Sequence, residues 1–159
     1  MVQHLFSFKE IRVKIEFVQI ELSTKCEIEM DTDGYVYGVE TAQPIFYQMI
    51  GKSNVEQAGL LCLDHSNKVI NYSTIAIGTS ENVNVSVGQI FRTALLSNAD
   101  KIIIAHNHPS GILEITSDDL KLTQRIGKAA SLFNISLIDS LIINATGDIL
   151  SIREKVGDK

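Results

Sequence analysis

The stretch at residues 101–119, KIIIAHNHPSGILEITSDD, leaves this chain few options. It opens on an unbroken apolar run, Ile102-Ile103-Ile104-Ala105, which reads as a buried strand. The run continues into His106-Asn107-His108 and stops at Pro109-Ser110-Gly111, a turn signal. Side chains alternate faces along a strand, so His106 and His108 share a face and Asn107 points away. A residue before proline is held extended, which keeps His108 in the strand frame. A helix-start signal follows at Thr116 and puts Asp119 in the first helical turn. Two imidazoles on one face, at the end of a rigid strand, make a good pair of metal ligands. Asp119, eleven residues beyond His108, is placed to supply a third.

A catalytic zinc site usually takes three protein ligands and leaves a fourth position to water. His106, His108 and Asp119 satisfy that count. Hydrolysis also needs a general base that is not a ligand. Glu56 is the candidate, because it stands just before a second apolar run, AGLLCL at 58–63, that reads as a neighbouring central strand. An isolated H-x-H would more simply be two polar residues closing a strand, with Glu56 a surface charge. Thr116-x-x-Asp119 ahead of an amphipathic run is also a helix-capping arrangement. Thr116 can cap under either reading. For Asp119 the two roles compete, and the residues alone leave them even.

The rest of the chain supplies an α/β frame. Residues 11–22 alternate as a half-buried strand whose phase flips near Phe17-Val18, and residues 26–39 read as a strand pair around Asp31-Thr32-Asp33-Gly34. Residues 41–50 read as a short helix with Pro44 in its first turn. Residues 68–77 pair back on 58–63 as a hairpin. Ser86 opens the clearest helix, with Val87, Ile90, Phe91, Ala94 and Leu95 at helical spacing and Gln89 completing a capping box. A second helix covers 117–133, its buried face marked by Leu122, Ile126, Ala129 and Phe133. Residues 135–138 and 141–143 read as two short apolar runs, 149–152 as a last strand and 153–159 as a polar tail. Alternating strands and helices after residue 55 imply an α/β core on a mixed sheet with helices on both faces.

Charge and cysteine usage narrow the function. A net charge of −5 with no Lys/Arg run argues against direct nucleic-acid binding. Cys26 and Cys62 form no C-x-x-C pair and read as buried free thiols. No apolar run approaches 18 residues and no signal peptide is evident, so no membrane partner and a cytoplasmic location are expected.

Over roughly residues 54–153 the chain resembles the RadC family of bacterial JAMM (MPN+) domain proteins. The resemblance rests on Glu56, Gly78-Thr79, HNHPSG at 106–111, Asp119, Thr123 and Asp139-x-x-Ile142. The JAMM pattern is a glutamate, then H-x-H, seven residues, Ser, two residues, Asp. Counted from His108, the Ser position is Thr116 and the acid is Asp119 rather than Asp118. The resemblance implies a cytidine-deaminase-like three-layer α/β/α fold and one zinc ion on His106, His108 and Asp119. It also implies metallopeptidase-type chemistry with Glu56 and Thr116 as catalytic groups. Departures are Thr116 for serine, Val87-Gly88 where Pro-Arg is frequent, Ser140 where His is frequent, and Glu114-Ile115 for the usual Pro. The helix-hairpin-helix region of longer members is not seen. Residues 1–50 resemble the strand-rich lead-in of short, mobile-element-type members, and 51–159 form the JAMM domain.

The expected function is therefore zinc-dependent hydrolysis of a peptide or isopeptide substrate, with a homodimer as the assembly to test. The competing reading is a zinc-binding interaction module without turnover, associated with DNA repair or mobile elements. A zinc nucleobase deaminase would share the fold but needs H-x-E and P-C-x-x-C, and neither occurs.

Overall fold

A computed structural model describes Gln19 and residues 22–157. The elements run α1 (Val39–Phe46), a wider π-helical turn (Tyr47–Gly51), β1 (Gln57–Leu63), β2 (Val69–Ile77), α2 (Val87–Leu96), β3 (Lys101–His108), α3 (Ser117–Leu132), β4 (Ser136–Asn144), β5 (Ile149–Ser151) and α4 (Ile152–Val156). The five strands form one sheet in the order β2-β1-β3-β4-β5. β3 and β4 are parallel, joined through α3, and the remaining neighbours are antiparallel. A parallel pair needs a crossover connection, and α3 supplies it.

The sheet is covered on both faces. Leu60, Cys62, Ile102 and Ile104 pack with Ile90, Phe91 and Ala94 of α2 and Ile126 and Ala130 of α3. On the other face Leu61, Leu63, Ile103 and Ala105 pack with Ala42, Ile45 and Phe46 of α1 and with Ile50. Alternate residues of β1 and β3 thus feed opposite cores, which is why both strands read as continuous apolar runs. The result is a three-layer α/β/α domain on a mixed sheet, as the sequence implies. Among the described residues no helix is long and apolar enough to cross a membrane.

Several local expectations change. The strand pair over 26–39 does not form. That stretch bends at Gly34, whose φ is +81°, carries a single bridge, Tyr35 to Lys68, and runs into α1 at Val39. Its alternating Cys26, Ile28 and Met30 do not dock as a strand face: Cys26 and Ile28 are exposed, Met30 packs only partly on the core, and Val36 is the one buried residue of the stretch. The strand expected over 11–22 lies, apart from Gln19 and Leu22, outside the described residues. α1 begins at Val39, so Pro44 sits in its interior, where it gives no N–H to the carbonyl four residues back. The Ser86 cap is half of the expected box. Its Oγ accepts from Gln89 N–H at 3.4 Å, but the Gln89 side chain instead accepts from Arg92. Phe133 caps α3 rather than lying in its buried face, and stacks on Phe91 with ring centroids 5.3 Å apart. The runs at 135–138 and 141–143 are one strand, β4. It continues through buried Asp139 because that carboxylate accepts from Ser140 N–H (2.7 Å), Ser151 Oγ–H (2.6 Å) and Arg153 N–H (3.2 Å). Ile152, expected to end the last strand, and residues 153–156 of the expected tail coil into α4 behind a Ser151 cap.

Candidate metal centre

β3 delivers its histidines as the alternation requires. His106 Nε2 lies 3.1 Å from His108 Nε2 and 3.2 Å from Asp119 Oδ1. Ligand atoms of these three residues all lie within 4.8 Å of one another, so the group could hold a metal ion. The side chains of His106 and Asp119 are 12% and 13% exposed, enclosed enough to be ordered yet open to a small ligand.

The donor set fits zinc. Nitrogen and oxygen ligands at ~2.0–2.1 Å in a tetrahedron stand about 3.3 Å apart, close to the separations seen. The tautomer fits too. His108 Nδ1 donates to the Ile112 carbonyl at 2.8 Å, so its proton sits on Nδ1 and Nε2 presents a lone pair to the shared point.

The two oxygens of Asp119 divide between the cap and His106. Oδ2 accepts from Thr116 N–H at 2.8 Å and Thr116 Oγ1–H at 2.7 Å, while Asp119 N–H donates back to Thr116 Oγ1 at 3.2 Å. That is the capping box. Oδ1 is left facing His106. Partial burial pushes the Asp119 carboxyl up. The hydrogen bond and charge of His106 and the Thr116 hydroxyl and N–H outweigh it, and hold the group down to about 2.

Glu56 stands immediately before β1. Ala58 pairs with His106, so Glu56 stands two residues before the β1 residue that faces a ligand. Its N–H donates to the Thr79 carbonyl at 2.6 Å, and its carbonyl accepts from Gly78 N–H at 2.8 Å. Gly78 is required there, since a Cβ would strike the Asn82 carbonyl. The Glu56 carboxylate is not part of the three-residue group.

Sequence reasoning missed Asn107. Facing away from the histidines, it is 0% exposed. Its Oδ1 accepts from Gln57 N–H at 2.6 Å, and its Nδ2 donates to the carbonyls of Val55 (3.1 Å) and Ser53 (3.3 Å). Two of those partners flank Glu56. A polar residue between two ligands on a buried strand was the available signal, because a buried amide must find partners.

Beside the ligands lies a small cleft walled by Ala58, Val85, Ile104 and Leu122, with Ser140 at its edge. A roomier cavity of about 480 Å³ lies elsewhere, between residues 30–32 and the α1 region around Tyr47, and includes none of the three ligating residues.

Comparison with known proteins agrees with this geometry. A UPF0758 protein of Finegoldia magna is 31% identical over 136 residues, covering 85% of this chain and 60% of that relative. UPF0758 proteins of Acidithiobacillus ferrooxidans and Thermotoga maritima are each 35% identical, over 64% and 60% of this chain and 45% and 43% of theirs. The chain thus spans about half the length of such relatives. The description "RadC-like JAB domain" matches residues 37–157, from the residue before α1's cap to the end of α4. With sheet, ligand group and sequence in agreement over that span, the chain belongs to the RadC-like JAB domain family.

Proposed function

We propose that this domain is a zinc-dependent hydrolase of peptide or isopeptide bonds. One observation carries the reading: His106 Nε2, His108 Nε2 and Asp119 Oδ1 converge beside the strand end that bears Glu56. Zinc bound there would supply Lewis acidity and a water acidified toward a pKa of ~7. Glu56 takes one proton from the attacking water and returns it to the leaving amine, so it ends the cycle as it began. The apolar wall of Ala58, Val85 and Leu122 excludes bulk water and strengthens each polar contact inside. Asp119 stays ionised through the neutral range, as a ligand must.

Thr116 supports a second reading, a zinc-holding module with little turnover. Its single hydroxyl proton goes to Asp119 at 2.7 Å. To steady a developing oxyanion, the hydroxyl must give up that bond. Thr116 therefore acts first by holding Asp119, and any direct contact with substrate comes second.

Elemental analysis of purified protein and a peptide-library screen test both readings. One zinc per chain is expected, lost in His106→Ala. Glu56→Gln should keep zinc and fold but lose about 10²–10⁴-fold in hydrolysis. Unchanged hydrolysis in Glu56→Gln removes Glu56 as the base, and zinc without any hydrolysis favours the module.

A further inference from the structure

The two histidines are held by different means, and one of those means reaches across the fold. His108 is the last residue of β3. Its ring is fixed through Nδ1 by the carbonyl of Ile112, in the loop 109–116 that leads to α3. That loop has little holding it. Gly111 N–H returns to the His108 carbonyl at 3.1 Å and Ile112 N–H reaches Ser110 Oγ at 3.4 Å, both within the loop itself. Among the described residues, its one hydrogen bond to another strand is from Asn144 Nδ2 to the Gly111 carbonyl, at 3.2 Å.

Asn144 is built for that bond. It closes β4 opposite His108 and is 5% exposed. Its Oδ1 accepts from Thr146 N–H at 3.1 Å and Asp148 N–H at 2.9 Å, so the amide cannot flip and Nδ2 must point outward. Nδ2 divides its two protons between Gly111 and the Asp148 carboxylate, 3.2 Å away. Asp148 is itself held by Thr146 Oγ1–H at 2.6 Å. The turn is tied to α1 and the turn after it by Gln43 Nε2, which donates to the Gly147 carbonyl at 2.8 Å, and by the Tyr47 hydroxyl, which donates to the Ala145 carbonyl at 3.3 Å.

We propose that Asn144 is a positioning residue of the metal centre: it pins Gly111, and so sets the Ile112 carbonyl that orients His108. The proposal rests on the metal-site reading above. Partners one shell behind a ligand typically alter metal affinity 10–100-fold.

Asn144→Asp isolates the effect. It keeps the oxygen that accepts from Thr146 and Asp148 and loses the N–H given to Gly111. Pairing it with Asp148→Asn removes the new repulsion between carboxylates without restoring the Gly111 bond. Zinc affinity, read by competition with a chromophoric chelator, should fall about tenfold or more in both variants, with the melting temperature of the metal-free protein shifted by only a few degrees. Affinity within twofold of wild type overturns the proposal. The second readout needs no metal. Ring-nitrogen NMR of metal-free wild type should show His108 fixed in the Nδ1–H tautomer, and the variants should show it averaged. An unchanged tautomer overturns the proposal, whereas wild type that takes up no zinc overturns only the metal-site reading.

Discussion

The candidate metal site is assembled from two regions that are stabilised very differently. The sheet-borne half holds His106 between Ala58 of β1 and Ile142 of β4, with Asn107 bonding to both residues that flank Glu56. The loop-borne half begins at His108 and hangs on a carbonyl, one amide from β4 and a helix cap, with Ile112 58% exposed. Asp119 joins them, one oxygen on the cap and one toward His106. Packed strands fix the position of His106. A ligand that closes the coordination shell can come from a segment of lower local stability. Stability and metal affinity should therefore respond to different substitutions.

The largest effect on stability is expected in the sheet-borne half. Asn107→Ala strands Gln57 N–H and two carbonyls at a half-buried strand entry, and each unpaired group costs roughly 1–3 kcal/mol. A total near 3 kcal/mol is expected from urea unfolding of the metal-free protein, with zinc affinity changed little because no ligand has moved. A loss under about 1 kcal/mol would mean that the strand entry is held by other bonds, and the contrast with the loop would weaken.

Acid probes the residue that joins the halves. The folded pKa of Asp119, about 2, lies below its ordinary 3.8, so the native state binds fewer protons than the unfolded chain in that interval. Asp119 then contributes roughly 2 kcal/mol at pH values above ~4, declining as pH falls toward ~2 and absent below it. Urea unfolding of metal-free wild type and Asp119→Asn at pH 6 and pH 3 should show the gap between them narrowing in acid. A gap that stays constant, or grows, contradicts the pairing with His106.

What could be read from the chain follows the same division. β3, β1 and α2 were legible because burial on a regular element writes a period into the sequence, as in Ile102–Ala105 and in Val87, Ile90 and Phe91. The histidine pair was legible from alternation alone. Choosing Asp119 needed the family pattern, since a cap and a ligand call for the same residue at the same spacing. Asn107 left one signal, a polar residue on a buried strand, but its partners and those of Asn144 were not legible, because they lie up to 54 and 33 residues away and amide bonding leaves no periodic trace. The stretch 26–39 was misread because alternation does not by itself supply a pairing partner: Cys26 and Ile28 alternate with acids yet stay exposed.

The smallest stability effect, and the sharpest test of the contrast, is at Gly111. Its φ is +84°, a region that L side chains rarely adopt, yet nothing lies within 4 Å of where a Cβ would stand. Gly111→Ala therefore meets no clash and pays only for backbone conformation, about 1 kcal/mol. The loop can relieve that strain by rotating at residue 111, which carries the carbonyl away from Asn144 Nδ2 and drags Ile112 off His108. Zinc affinity should then fall by more than the small stability loss would suggest, the reverse of Asn107→Ala. Urea midpoints and chelator competition on the two variants side by side decide the matter. If both lose stability and affinity in the same proportion, the halves are one cooperative unit and the site has no loop-borne part in any energetic sense.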